Sequence, residues 1–129
     1  GEMSRVMLAL KSTLSARDDI HTLVFDEVDS GISGRVASAV GEKIAKLTKT
    51  HQVFCITHLP QIAAIGDQHY LIKKEQSQNT TTTHIKLLSE KEREQEVARI
   101  MGDAYASDLA VQYACELIQN GKNIKNSQI

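Results

Sequence analysis

Two short apolar runs, Thr22-Leu23-Val24-Phe25 and Val53-Phe54-Cys55-Ile56, flank a single amphipathic stretch. Each run is apolar on both faces and rich in β-branched and aromatic residues. That pattern suits a strand of a parallel sheet covered by helices above and below. Between them Val36, Val40, Ile44 and Leu47 recur at helical spacing from Arg35 to about Thr48, with Lys43, Lys46 and Lys49 on the wet side. Strand, helix, strand in that order is a βαβ unit, and its two strands run parallel. Both strands then end on one rim, the edge at which open α/β sheets hold their ligands.

The remaining elements follow from the same periodicities. Met3, Val6, Met7, Leu10 and Leu14 predict an amphipathic helix from Glu2 to about Ser15, with these five as its buried stripe. Arg17-Asp18-Asp19 is a polar break. Ser30-Gly31-Ile32-Ser33-Gly34 is a turn with a serine placed to cap the following helix. Leu59-Pro60-Gln61-Ile62 opens a short helix with Pro60 near its first position. Strands are expected from His69 to Lys74 and from Thr81 to Leu88, joined through Gln76 to Asn79 as an antiparallel hairpin. Ser89 and Glu92 form a capping box that opens a helix to about Met101. A last helix is expected from Ser107 to Gln119, stopped by Asn120-Gly121 and followed by a polar, frayed tail, residues 122–129.

Composition narrows the class. A chain of 129 residues with 41% hydrophobic and 24% charged residues is globular and holds one domain. None of its apolar runs approaches the roughly 20 residues of a membrane helix, so no membrane partner is expected. Cys55 and Cys115 have no metal-ligand spacing and read as small core residues of a protein in a reducing cytoplasm. Five aromatic residues argue against a base-stacking platform, and a net charge of −1 leaves nucleic acid open.

The chemistry concentrates on the rim. The first strand delivers two adjacent carboxylates, Asp26 and Glu27, at its C-terminal end. In nucleotide hydrolases an Asp here holds Mg²⁺ and a following Glu polarises the attacking water; solvated acids at a strand end are the plainer alternative. Thr57-His58 closes the neighbouring strand, so His58 should emerge beside Glu27 and could bond a transferred phosphate. His21, His51, His69 and His84 have no such setting and are expected at the surface or at strand ends. Gly1-Glu2 stands before a helix N-terminus, whose N–H groups attract anions. The loop Asp29 to Gly34 permits close backbone approach to a phosphate or a partner subunit. No Gly-x-x-x-x-Gly-Lys-Ser/Thr cradle occurs in these residues.

Taken in order, these signals resemble the C-terminal half of an ABC-type ATPase head. Gly1-Glu2 resembles the end of the Leu-Ser-Gly-Gly-Glu signature, Leu23 to Glu27 the Walker B strand, Ser30 to Ser33 the D-loop and His58 the switch histidine. A finer resemblance, to the SMC-like RecN family of bacterial break-repair proteins, rests on four stretches. They are Gly1 to Lys11, Phe25-Asp26-Glu27-Val28-Asp29-Ser30-Gly31-Ile32-Ser33-Gly34, Thr57-His58-Leu59-Pro60-Gln61-Ile62-Ala63-Ala64, and Ala98-Arg99-Ile100-Met101-Gly102. Most ABC and SMC proteins carry an Asp where Ser33 stands.

The resemblance implies a P-loop α/β fold, with residues 1–121 as the C-terminal lobe and 122–129 as a tail. It implies ATP and Mg²⁺ as cofactors, with Asp26 supporting the metal, Glu27 as general base and His58 against the γ-phosphate. Gly1, Glu2, Ser30, Gly31 and Ser33 would serve the nucleotide interface. The implied partners are a second head in an ATP-sandwiched homodimer, the N-terminal lobe of the same protein, and DNA. The implied location is the bacterial cytoplasm at the nucleoid. Without the phosphate-gripping loop, these residues alone are expected not to hydrolyse ATP. A non-enzymatic α/β module that binds DNA or a protein, with Lys43, Lys46 and Lys49 as a phosphate-contacting stripe, is the competing reading. A hydrolase of another kind built on Glu27 and His58 is the third, and it lacks a nucleophile.

Overall fold

A computed structural model describes residues 1–14, 20–77, 80–102 and 105–127. Its elements in chain order are α1 (Glu2–Leu14), β1 (Thr22–Phe25), α2 (Gly34–Leu47), β2 (Gln52–Cys55), α3 (Pro60–Ala63), β3 (Tyr70–Gln76), β4 (Thr81–Leu87), α4 (Glu90–Ile100) and α5 (Asp108–Asn126). The expected break at Arg17-Asp18-Asp19, Ser15, the tip of the hairpin turn at positions 78–79 and the last two positions lie outside the described residues.

β1 and β2 pair in parallel with Leu23 opposite Val53 and Phe25 opposite Cys55. The ladder continues past both ends: Gln52 N–H donates to the His21 carbonyl and Ile56 N–H to the Phe25 carbonyl, at 2.8 and 2.9 Å. β3 and β4 form a separate antiparallel pair, Tyr70 opposite Leu87 and Ile72 opposite Ile85. The fold is α/β, with a parallel two-stranded sheet and a hairpin.

The expectation that the first strands are buried on both faces needs correction. Leu23 and Phe25 join Leu8, Val28, Val40, Ile44, Leu47 and Ile62 in one apolar cluster, with Val53 and Cys55 packed against it. Val24 and Phe54, on the opposite face, are 66% and 48% exposed. The helices that join this cluster, α1, α2 and α3, contribute to a single side of the pair, so only alternate residues are covered.

The stripe predicted for α1 is also turned outward. Met3, Val6, Met7 and Leu10 are exposed, and Leu8 is the residue that enters the core. Arg5 and Ser4 face the loop after β1 and hold it through side-chain hydrogen bonds, which fixes the rotation of the helix. In α2, Val40, Ile44 and Leu47 are buried as periodicity predicts, while Val36 is exposed and Ala37 takes its place.

α4 begins at the predicted capping box: Glu92 N–H donates to Ser89 Oγ and Ser89 N–H to the Glu92 carboxylate. α5 does not stop at Asn120-Gly121 but runs to Asn126. Gly121 is buried inside it, and a Cβ there would stand 2.7 Å from the Ala64 carbonyl oxygen. The glycine permits a close helix crossing, where a helix stop was expected. Lys125, on the extra turn, pairs with Asp67. α4 and α5 enclose a second cluster of Ala63, Ala64, Val97, Ala98, Ala114 and Ile118.

Candidate functional site

The parallel register sets the geometry. With Phe25 opposite Cys55, the residues that follow each strand leave the sheet side by side. Asp26, Glu27, Asp29, Ile56, Thr57 and His58 line one shallow recess of about 170 Å³. The acidic pair and the imidazole singled out from sequence are therefore neighbours on one rim. Glu27 adopts left-handed backbone, φ 56°, a conformation unusual for a residue with a Cβ. The chain turns at once beyond it, with Ser30 N–H donating to the Glu27 carbonyl at 3.1 Å.

One residue lining the recess, Asp29, has no role of its own in the sequence reading beyond opening the loop to Gly34. Asp29 is 2% exposed. Its Oδ2 accepts from Thr57 Oγ1 at 2.5 Å and from His58 N–H at 2.9 Å, and it lies 3.2 Å from His58 Nδ1. Thr57 Oγ1 in turn accepts from Leu59 N–H at 3.1 Å. Desolvation pushes the Asp29 carboxyl up, but the hydrogen bonds from Thr57 and the His58 backbone and the His58 charge outweigh it, so its pKa falls below the ordinary value. His58 itself is largely exposed, its side chain 73% accessible. Only the turn composition of Asp29-Ser30-Gly31 and the hydroxyl next to His58 hinted at this linkage.

The other expected residues sit beside the recess, not in it. Gly1 packs on Ser30, where a Cβ at Gly1 would lie 2.8 Å from Ser30 Cβ. The α1 N-terminus and the loop after β1 are thus adjacent. Arg5 Nη1 donates to the carbonyls of Val28 and Ser30 at 3.3 and 2.7 Å, and Ser4 Oγ to that of Asp26 at 2.8 Å. Glu2 is exposed at the first turn of α1. Gly31 is exposed with φ 73°, which a turn there requires. Ser33 occupies the N-cap position of α2, but its side chain makes no capping bond.

No group of three or more His, Cys, Asp or Glu side chains able to hold a metal ion by itself occurs among the described residues. Mg²⁺ keeps most of its waters and needs one or two carboxylates beside substrate phosphates. The exposed acids at Asp26 and Glu27 have the right donor chemistry for that mode of binding. His51, expected at the surface or at a strand end, stands directly before β2 and is buried there, with Nδ1 2.7 Å from Thr50 Oγ1. Cys55 packs against the first cluster, and desolvation, followed by the charges of Asp29 and Asp26, pushes its thiol up to about 12. Both cysteines are free. No described helix is long and apolar enough to cross a membrane.

No family model matches the chain. Among curated proteins it is 46% identical over 127 residues to the DNA repair protein RecN of Bacillus subtilis, covering 98% of this chain and 22% of that protein. It is 46% identical over 121 residues to the RecN of Treponema pallidum and 44% over 118 residues to that of Deinococcus radiodurans, covering 94% and 92% of this chain. The chain spans about a fifth of the length of these relatives.

Proposed function

We propose, for a chain that belongs with the RecN DNA repair proteins along nearly all of its own length, that it is the C-terminal lobe of an ATP-hydrolysing head acting in DNA break repair and recombination. The observation that carries the reading is the shared recess: Asp26, Glu27 and His58 meet at the C-terminal end of a parallel strand pair. Strand-end carboxylates beside an imidazole suit phosphoryl transfer to water, in which the protein's work is positioning and charge stabilisation.

In this reading Glu27 takes the proton of the attacking water, and His58 meets the γ-phosphate. Asp26 would hold Mg²⁺, which neutralises phosphate charge. The α1 N-terminus at Gly1 and Glu2 would face the nucleotide of a second head, and the loop of Ser30, Gly31 and Ser33 would lie at the contact between heads. The contact of Gly1 with Ser30 supports assigning both to one surface. The open sheet face at Val24 and Phe54 supports a further layer, the N-terminal lobe, which would also bring the phosphate-gripping loop absent from these residues. DNA is a partner of the whole protein in this scheme, and its location is the bacterial cytoplasm.

The test is ATP turnover of the longer, RecN-length protein, with and without Glu27→Gln, beside the isolated chain. Loss of the general base should lower turnover by about 10²–10⁴-fold and leave an ATP-bound dimer that persists in gel filtration. The isolated chain should show no turnover above background. Hydrolysis by the isolated chain, or a Glu27→Gln protein of undiminished rate, sinks the assignment.

A further inference from the structure

We infer that Asp29 is a positioning residue that fixes the ring of His58 in its Nδ1-protonated form, leaving Nε2 as the nitrogen that meets the phosphate. The inference rests on the nucleotide reading of the recess and adds to it a residue with no assigned role there.

Three observations carry it. The Asp29 carboxylate is almost wholly buried, which a solvated loop acid would not be. Beyond its own backbone N–H, the carboxylate's contacts go to the segment after β2: the Thr57 hydroxyl, the His58 backbone N–H and the His58 ring. The ring contact is at Nδ1, 3.2 Å from Oδ2. A carboxylate at ion-pair distance from that nitrogen favours the proton there electrostatically, and a neutral ring protonated on one nitrogen keeps its lone pair on the other. The backbone bond and the Thr57 bond meanwhile fix where the ring starts.

The arrangement follows the logic of an acid that orients a catalytic imidazole. A neutral ring protonated on Nδ1 offers a lone pair at Nε2. On taking a proton from solvent, Nε2 becomes a donor to phosphate oxygen, and the cation formed lies against the Asp29 carboxylate. Asp26 and Glu27 are the other charged groups lining the recess. Asp29 touches neither nucleotide nor water in this scheme, and acts through His58. The loop after β1 and the loop after β2 are thereby one unit, so a shift of the first moves the imidazole.

The experiment reads the imidazole directly. In ¹⁵N–¹H NMR of the chain above the His58 titration, the Nδ1–H form should dominate. Asp29→Asn keeps an oxygen acceptor of the same shape but removes the charge, and should lower the ratio of Nδ1–H to Nε2–H about fivefold. A wild-type ring mainly protonated on Nε2, or a ratio unchanged by Asp29→Asn, overturns the inference; the wild-type measurement stands even if the variant does not fold. In the longer protein Asp29→Asn should lower kcat for ATP about tenfold with little change in KM. A raised KM with kcat intact marks a binding or folding role and overturns it too. Failure of the nucleotide reading shows separately, as full turnover of the Glu27→Gln protein.

Discussion

Left-handed backbone at Glu27 and a buried carboxylate at Asp29 stand two residues apart, and the sequence displays the two very unequally. The acidic pair was legible because it follows an apolar strand. Asp29 was not, because its partners lie 28 and 29 positions away and nothing local pairs an aspartate with them. Its effect on stability has a definite sign. The folded carboxyl titrates below 3.8, so between that value and the folded pKa the native chain binds fewer protons than the unfolded one. Stabilisation is complete above the unfolded pKa and is lost as pH falls through the folded one. Asp29→Asn should therefore cost about 1–3 kcal/mol at pH 7. Urea unfolding of both proteins should show the gap closing below pH 3.8. A gap independent of pH would mean that the charge contributes nothing.

At the level of elements, periodicity located α1, α2, α4, the strands and the hairpin but not how α1 is rotated. Met3, Val6, Met7 and Leu10 form the more regular apolar stripe, yet Leu8 is the buried residue because Arg5 and Ser4 are drawn to carbonyls of the loop after β1. A hydrophobic pattern reports that a face can be covered, not by what. α5 runs past its expected end for a similar reason: a glycine that ends many helices serves here to let the backbone of residues 64–65 approach. The α1 finding is directly measurable. Leu8→Ala should destabilise the chain by about 2–5 kcal/mol, whereas Met7→Gln should change stability by no more than about 0.5 kcal/mol. Denaturant melts of the two variants decide it, and the reverse order would restore the stripe as the packed face.

For the molecule as a whole, exposure is the governing quantity. The chain exposes 8835 Å², against about 6,800 Å² for a compact monomer of its mass. Uncovered apolar residues on α1, on one sheet face and on the hairpin contribute to that excess. With so little core to spare, the link between its two clusters matters. Beside the packing of α2 on α5, that link is α3, only four residues long, with Ile62 in the first cluster and Ala63 in the second. A helix of one turn cannot hold itself in water. Arg93, buried on α4, supplies what is missing: its Nη2 donates to the carbonyls of Ala63, Ala64 and Gly66 at 3.4, 2.8 and 2.6 Å. These are carbonyls that the end of so short a helix leaves without intrahelical partners. The clamped segment begins a few residues after His58 in the chain. Arg93→Met keeps most of the bulk and removes the donors, and should cost about 2–4 kcal/mol. Because α3 and the packing of α2 on α5 join the clusters, tyrosine fluorescence and far-UV circular dichroism should still report a single coincident urea transition, shifted to lower concentration. Two separated transitions in the wild-type chain would show that the clusters unfold independently and that α3 does not couple them.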